Sequence, residues 1–562
     1  MRKGKYSESI SNYKFPIIYT VIAVLIVIKI ALSSQTNTPL TIIPHPFTVS
    51  YSKSTELYHL SSESTICYNH AKPKLRTQAQ FLSSYIFKQS GISVNIIGRI
   101  TDDCSIILDY GYQDPNEEAY NLTITEKVIY INGSTIRGSF YGIQTLRKLI
   151  PTHKVYDIKL NQVIINDKPR FPYRGLLLDA SRYFRTVSEV KEFMDIMVLH
   201  NMNIFHFHIT DDQGWRFESK KYTNLTLIGS KRDSTMGDNT PYGGFYTQDE
   251  LRELVQYGSD RQITIIPEID LPGHSISALA SYPNLGCTGG PYKVANRFGI
   301  QDDVLCLGNP DTMKFVKDIL TEVMEIFPSK YIHIGGDEVK KSHWKDCKKC
   351  QKHIEKLGLV DDSEHSKEEY MHSHFTNEVA NFLASKGRKA IGWSEAVYAG
   401  KIGNLTVIDW LRNPKKKLPE TLEYPTILAP IVPMYMDNSQ EYIDDINLFP
   451  VNTLKIIYDY EPFNSKFHTK KQFKNILGVQ ACLWGELTPS FNTVTYQALP
   501  RAAAISVIQW SLPNTKNYNS FVGALKALSK IYNVNNWTYF KKEIMFISIS
   551  TFIVSFFKAL LI

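Results

Sequence analysis

A chain of 562 residues with 43% hydrophobic and 21% charged content has room for one large domain and a smaller companion, and its composition excludes a disordered chain. The formal charge of +8 is mild over that length. Its lysines fall singly or in short runs such as Pro414–Lys417, without interleaved aromatics, which argues against a nucleic-acid platform.

The chain opens on the basic stretch MRKGKYSESISNYK, then a continuously apolar run, Phe15–Ile28, interrupted by Lys29. Residues 1–35 read as a signal peptide with a small-residue exit near Ala31–Ser33, or as an uncleaved signal anchor that would tether the protein to a membrane. Either way the bulk of the chain is expected in the secretory pathway, facing a lumen (lysosome-like) or the outside. Seven cysteines fit an oxidising compartment, with three bridges and one thiol left over. The disulfide candidates are Cys67 and Cys104, Cys287 and Cys306 around one loop, and Cys347 and Cys350 in CKKC; Cys482, in an apolar run, reads as a buried free thiol. His343 and His353 flank CKKC, but a zinc site needs a second suitably spaced pair, so no metal is expected. Five sequons, at Asn121, Asn132, Asn224, Asn404 and Asn536, are compatible with glycosylation.

Residues 41–166 mix strand-like runs such as SIILDY and VIYING with helical ones such as KLRTQAQFLSSYIFKQ, which predicts a small α+β domain. The Pro- and Arg-rich stretch 167–175 marks its boundary. Over 170–540, eight short buried-strand patterns follow, most with a helical pattern behind them: YRGLLLDAS, NIFHFHITD, ITIIPEID, YIHIGGDE, KAIGWSEA, LTVIDWL, YPTILAP and ILGVQACLWGE. That period predicts an α/β fold, a (β/α)8 TIM barrel. The last stretch, residues 543–562, is an apolar tail suited to a membrane segment, a removable lipid-anchor signal or a docked helix.

In such a barrel the C-terminal strand ends converge on one pocket. Arg174, Asp211, Glu268, Asp270, Asp337, Glu338, Trp393, Glu395, Trp410, Trp484 and Glu486 stand near those ends. Acids beside tryptophans suit a sugar, whose apolar ring face packs on indole while carboxylates bind hydroxyls and move protons. Asp337 and Glu338 lie side by side after two glycines. Like charges this close push one pKa up, so one acid holds a proton while its neighbour stays ionised.

Taken in order, YRGLLLDASRYF, HITDDQGWR, PEIDLPGHS, HIGGDEV, GWSEA and QACLWGE resemble the family 20 glycoside hydrolases, the β-N-acetylhexosaminidases, with loops closer to the bacterial-type branch. The resemblance covers most of the chain after the leader and ends before the apolar tail. It implies an exo-acting hydrolase of terminal β-linked GlcNAc, and secondarily GalNAc, on glycans or chitooligosaccharides. It also implies a substrate-assisted retaining mechanism without a cofactor. By the same resemblance Glu338 is the acid/base, Asp337 orients the acetamido group, and Asp211 and His274 tune Glu338. Arg174 and Glu486 bind ring hydroxyls, Trp393, Trp410 and Trp484 wall the site, Tyr435 donates to the acetamide oxygen, and Asp437 contacts the substrate rim. Phe207 stands where the family usually has tryptophan, and strand alternation turns it away from the pocket. The rival reading is a membrane-tethered glycan-binding protein without turnover, and whether the chain forms a homodimer stays open.

Overall fold

The computed structural model describes residues 42–236, 238–411, 423–441, 450–463, 469–542 and 544. The apolar leader, the Pro414–Lys417 run and all of the apolar tail but Ile544 lie outside them. Among the described residues no helix is long and apolar enough to cross a membrane.

The N-terminal region folds as the expected α+β unit. Seven strands pair in the order Thr48–Tyr51, Val163–Asp167, Tyr120–Ile124, Ile129–Gly133, Ile106–Tyr110, Thr65–Tyr68 and Asn95–Ile97. Alternate residues of its middle strands are fully buried, such as Tyr120, Leu122, Ile129 and Ile131, against the helices Leu75–Ser90 and Ile136–Leu149. The Cys67–Cys104 disulfide ties one of these strands to the loop before Ile106–Tyr110.

All eight predicted barrel strands form: β1 (Tyr173–Asp179), β2 (Ile204–His208), β3 (Thr264–Glu268), β4 (Tyr331–His333), β5 (Lys389–Trp393), β6 (Leu405–Asp409), β7 (Thr426–Leu428) and β8 (Ile476–Leu483). Each runs parallel to the next, and β8 closes on β1 with Leu176 opposite Ala481. Their side chains are buried on both faces, the reason these strands read as continuous apolar runs.

Four outer helices follow the first four strands: α1 (Val187–Leu199), α2 (Gln248–Asp260), α3 (Pro310–Ile326) and α4 (Lys367–Ser385). Thr186 with Glu189, Thr247 with Glu250 and Ser366 with Glu369 form reciprocal capping boxes at three of them. At α3, Asn309 accepts from the Asp311 amide and Pro310 takes the first helical position. Between β5 and β6 the alternation is interrupted. Residues 394–404 carry one 3-10 turn (Ser394–Val397) before β6, because the segment is too short to run a helix back along the barrel.

Candidate active site

Past the end of β4 the chain turns through Gly335 and Gly336. Gly335 has φ of +65°, and a Cβ there would lie 1.6 Å from Asp270 Oδ1, so only glycine fits. The Gly336 amide donates to the same Asp270 oxygen at 3.2 Å. This turn carries Asp337 and Glu338 into the mouth of the barrel. Glu338 itself adopts φ of +51°, and His274, after β3, adopts φ of +44°. Both are non-glycine residues in the left-handed region, a strain that folds tolerate mainly at functional sites.

These residues face a cavity of about 460 Å³ at the C-terminal end of the barrel. His274 stands at its centre. Its Nδ1 lies 3.3 Å from Asp211 Oδ1 and 3.2 Å from Asp212 Oδ2, and its Nε2 lies 3.4 Å from Glu338 Oε2 and 3.7 Å from Asp337 Oδ2. Burial alone would discharge this imidazole; Asp211, with hydrogen bonds to Asp211, Asp212 and Glu338, overrides that and holds it well above its usual range. Burial would likewise raise Asp211, but Arg182 and then His274 hold it well below the usual carboxylate range. The chain of charge therefore runs from Arg182 through Asp211 and cationic His274 to Glu338, whose side chain is 30% exposed to the cavity.

Asp337 sits in a different environment. Burial, with Glu395, Glu268 and Glu338 nearby, pushes it up to about 8 against the pull of His274. Its Oδ1 is buried without a hydrogen-bond partner among the described residues. The pocket thus offers one acid tied to a charged relay and one poised for an incoming donor.

Under the acids, Glu268 is surrounded by His206 Nε2 at 3.0 Å, His208 Nδ1 at 2.6 Å, His333 Nδ1 at 2.8 Å and Trp393 Nε1 at 2.8 Å. His208 also reaches Asp211 at 2.8 Å, joining this floor to the relay. The walls are aromatic. Trp410 and Tyr435 stack at 6.0 Å with rings 12° apart, Trp484 lies 5.7 Å from Trp393 and 6.0 Å from Tyr435, and Trp410 is fixed by a 2.8 Å bond to Glu395. At the far side Arg182 approaches Glu486 at 3.7 Å, and burial followed by Glu486 pushes Asp437 up to about 7.

Asp211, His274, Asp337, Glu338, Trp393, Trp410, Tyr435, Asp437, Trp484 and Glu486 thus all line one cavity. Arg174 does not. It is the second residue of β1, at the opposite end of the barrel, fully buried and bound to Glu118 of the N-terminal domain at 2.7 and 3.0 Å and to the Tyr141 hydroxyl at 2.9 Å. The arginine in the pocket is Arg182, three residues past the end of β1. Counting from the strand's C-terminal end would have found it. The sequence reading also misses Asp212, which contacts His274, and His208, which lines the cavity; both stand in the same HFHITDD run as Asp211. Phe298 and Ile300, on the long loop after β3, add to the wall and carry no sequence signal. Phe207 turns out of the barrel interior onto Phe205 and Tyr246, as strand alternation predicts.

The cysteines differ from expectation in one respect. Cys67 and Cys104 are bonded and Cys482 is a buried thiol, but Cys287, Cys306, Cys347 and Cys350 are four unbonded thiols gathered in one cluster. The fold brings the loop pair and the CKKC pair together, so the nearest sulfurs are not simply those adjacent in sequence.

Comparison with known proteins agrees with this architecture. The family model described as Glycosyl hydrolase family 20, catalytic domain, matches residues 171–513, and that of Glycosyl hydrolase family 20, domain 2, matches residues 40–168. A beta-hexosaminidase of Porphyromonas gingivalis is 34% identical over 491 residues, 85% of this chain and 62% of that protein, so the match leaves over a third of the relative uncovered. One from Akkermansia muciniphila is 32% identical over 416 residues, 72% of this chain and 81% of its own. The crystal structure of a GH20 exo beta-N-acetylglucosaminidase from Vibrio harveyi in complex with N-acetylglucosamine superposes with a TM-score of 0.77 at 26% identity, over 89% of this chain and 78% of that one.

Proposed function

The chain belongs to glycosyl hydrolase family 20, and from that premise we propose that it is an exo-acting β-N-acetylhexosaminidase removing terminal, non-reducing β-linked GlcNAc, with GalNAc as the second candidate. The reaction is retaining and substrate-assisted. Glu338 gives its proton to the glycosidic oxygen as the substrate's acetamido oxygen attacks the anomeric carbon and the aglycone leaves. The resulting oxazolinium carries its charge across the acetamido N–C–O, beside Asp337, whose unpartnered Oδ1 accepts the N–H. Glu338, now ionised, takes a proton from water; the water oxygen adds to the anomeric carbon and the oxazolinium ring opens.

The observation that carries this reading is the asymmetry of the two neighbouring acids. Glu338 is wired through His274 to Asp211 and Arg182, whereas Asp337 is buried, raised to about 8 and short of one donor within an aromatic box. The box of Trp393, Trp410, Tyr435 and Trp484 suits an acetamido methyl and a sugar face. Arg182, Asp437 and Glu486 close the far side, where the outermost hydroxyls of a terminal sugar would lie. The Cys67–Cys104 bridge supports a lumenal or extracellular workplace.

Hydrolysis of an aryl β-GlcNAc by the wild type, Glu338→Gln and Asp337→Asn tests the proposal, together with binding of a thiazoline mimic of the oxazolinium. Turnover in the wild type, large losses in both variants and weaker thiazoline binding by Asp337→Asn support it. A folded wild type that binds the mimic without cleaving the substrate makes the pocket a receptor instead.

A further inference from the structure

Four thiols that the proposed reaction does not use converge behind the active-site loops. Cys287 and Cys306 end the long excursion after β3, while Cys347 and Cys350 enter the helix Lys348–Leu357, downstream of Asp337 and Glu338. Their sulfurs lie within 4.8 Å of one another: Cys287 to Cys350 at 3.7 Å, Cys306 to Cys347 at 3.7 Å and Cys306 to Cys350 at 3.6 Å. Four thiolates around a tetrahedral zinc with Zn–S near 2.3 Å stand about 3.8 Å apart along each edge of the tetrahedron. These three separations match such edges to a few tenths of an ångström, and the other three lie within 4.8 Å.

We propose that Cys287, Cys306, Cys347 and Cys350 bind one structural Zn²⁺ as a closed tetrathiolate site. The local backbone supports it. Cys347 is the extended cap residue of its helix and Cys350 lies in the first turn, so both sulfurs of the Cys-x-x-Cys pair point to one side. The Gly308 backbone amide lies close to Cys306 and Cys350, a donor placed to favour thiolates. Only glycine lets that amide approach: a Cβ on Gly308 would meet the Lys349 carbonyl carbon at 2.2 Å and the Cys350 nitrogen at 2.4 Å.

Cys306 and Cys350 are fully buried, whereas Cys287 and Cys347 are partly open, leaving the metal a way in. Zinc with four thiolates keeps two negative charges, and Lys345, Lys348, Lys349 and Lys352 crowd the same short segment to offset them. The neighbouring His343 faces Asp303 at 3.3 Å and is not a ligand.

The ion would join two segments that both reach the cavity. The Cys287–Cys306 loop carries Phe298 and Ile300 of its wall, and the Leu305 amide bonds to the Pro272 carbonyl beside His274. The other segment follows Glu338 directly, and its Trp344 Nε1 bonds to the Leu305 carbonyl at 2.9 Å.

The test uses the full-length chain, made through an oxidising secretory route in zinc-supplemented medium and purified in detergent without chelator. Metal analysis should find one zinc per chain, and denaturation with EDTA should free five thiols, the four ligands and Cys482. Cobalt exchanged into the wild type should give the visible absorption of a tetrahedral tetrathiolate. The Cys347→Ser/Cys350→Ser variant should lose the zinc and melt several degrees lower; the cobalt spectrum of the wild type decides the matter if that variant does not fold. Absence of metal with an intact mass showing two further disulfides would overturn the proposal, as would iron in place of zinc.

Discussion

Replacing Asp337 by asparagine should cost turnover and yet stabilise the fold, by an amount that grows with pH. Its carboxyl is raised from 3.8 to about 8, chiefly by burial. A carboxyl raised in the fold keeps its proton there while the unfolded chain has lost its own. Between pH ~4 and ~8 the folded state therefore binds more protons, and stability falls as pH rises through that window. Each unit is worth about 1.4 kcal/mol, so the roughly three units crossed by pH 7 set a ceiling of about 4 kcal/mol. Asp270, also pushed well up by burial and by Asp337, shares the proton and lowers the yield. A gain of about 1–3 kcal/mol at pH 7 is the expected result, with a loss in kcat of two to three orders of magnitude, on the order of removing one positioned electrostatic group. Urea unfolding of both proteins at pH 4, 6 and 8 checks it. The two curves should nearly coincide at pH 4 and separate progressively toward pH 8. A gap independent of pH, or an asparagine variant less stable at pH 8, would refute the reasoning.

Three further outcomes follow from the geometry. Asp337 is raised to about 8, and its ionised form is the one that faces the oxazolinium; any limb of the kcat/KM profile near that pH should vanish in Asp337→Asn, and a limb that persists in the variant would show that another group sets it. Arg174→Leu strands Glu118 in the interior and should cost about 3–5 kcal/mol in chemical denaturation with KM unchanged, whereas Arg182→Leu should raise KM; the reverse pattern would return the substrate role to Arg174. Gly335→Ala drives a methyl into Asp270 and forces a left-handed alanine, so it should abolish activity and lower the melting temperature, by roughly 2 kcal/mol or more of stability; a fully active alanine variant would show that the turn can relax.

Much of the site was legible in the sequence, because its residues stand at or just beyond strand ends, where a short apolar run meets an acid or a tryptophan. Trp393, Trp484, Asp211 and the Asp337–Glu338 pair all carry that mark. Arg174 misled because it lies inside the same motif as Arg182, and adjacency in sequence hides which end of a strand a residue occupies. Strand patterns locate strands without guaranteeing a helix between them, and the short 394–404 connection between β5 and β6 holds only a 3-10 turn. The cysteine cluster is non-local: spacing alone cannot say that a loop closed by Cys287 and Cys306 folds onto CKKC. The histidines around Glu268 were hidden by their setting, as IFHFH reads like an ordinary core strand until its inward face is seen to converge on one carboxylate.

The guanidinium at the base of β1 also bears on how far the two domains can be treated as interchangeable parts. Arg174 takes both oxygens of Glu118, Trp510 Nε1 bonds to Asp167, and the Ser511 hydroxyl bonds to the His45 carbonyl, so charge and polarity buried in the barrel are satisfied from the other domain. A barrel separated from that partner would keep a cation and an indole N–H whose complements had gone, beside apolar surface newly open to water. Shuffling the N-terminal domain among relatives, or shortening the chain to its catalytic half, thus requires Glu118 and Asp167 to travel with Arg174 and Trp510. The two domains share one buried polar seam.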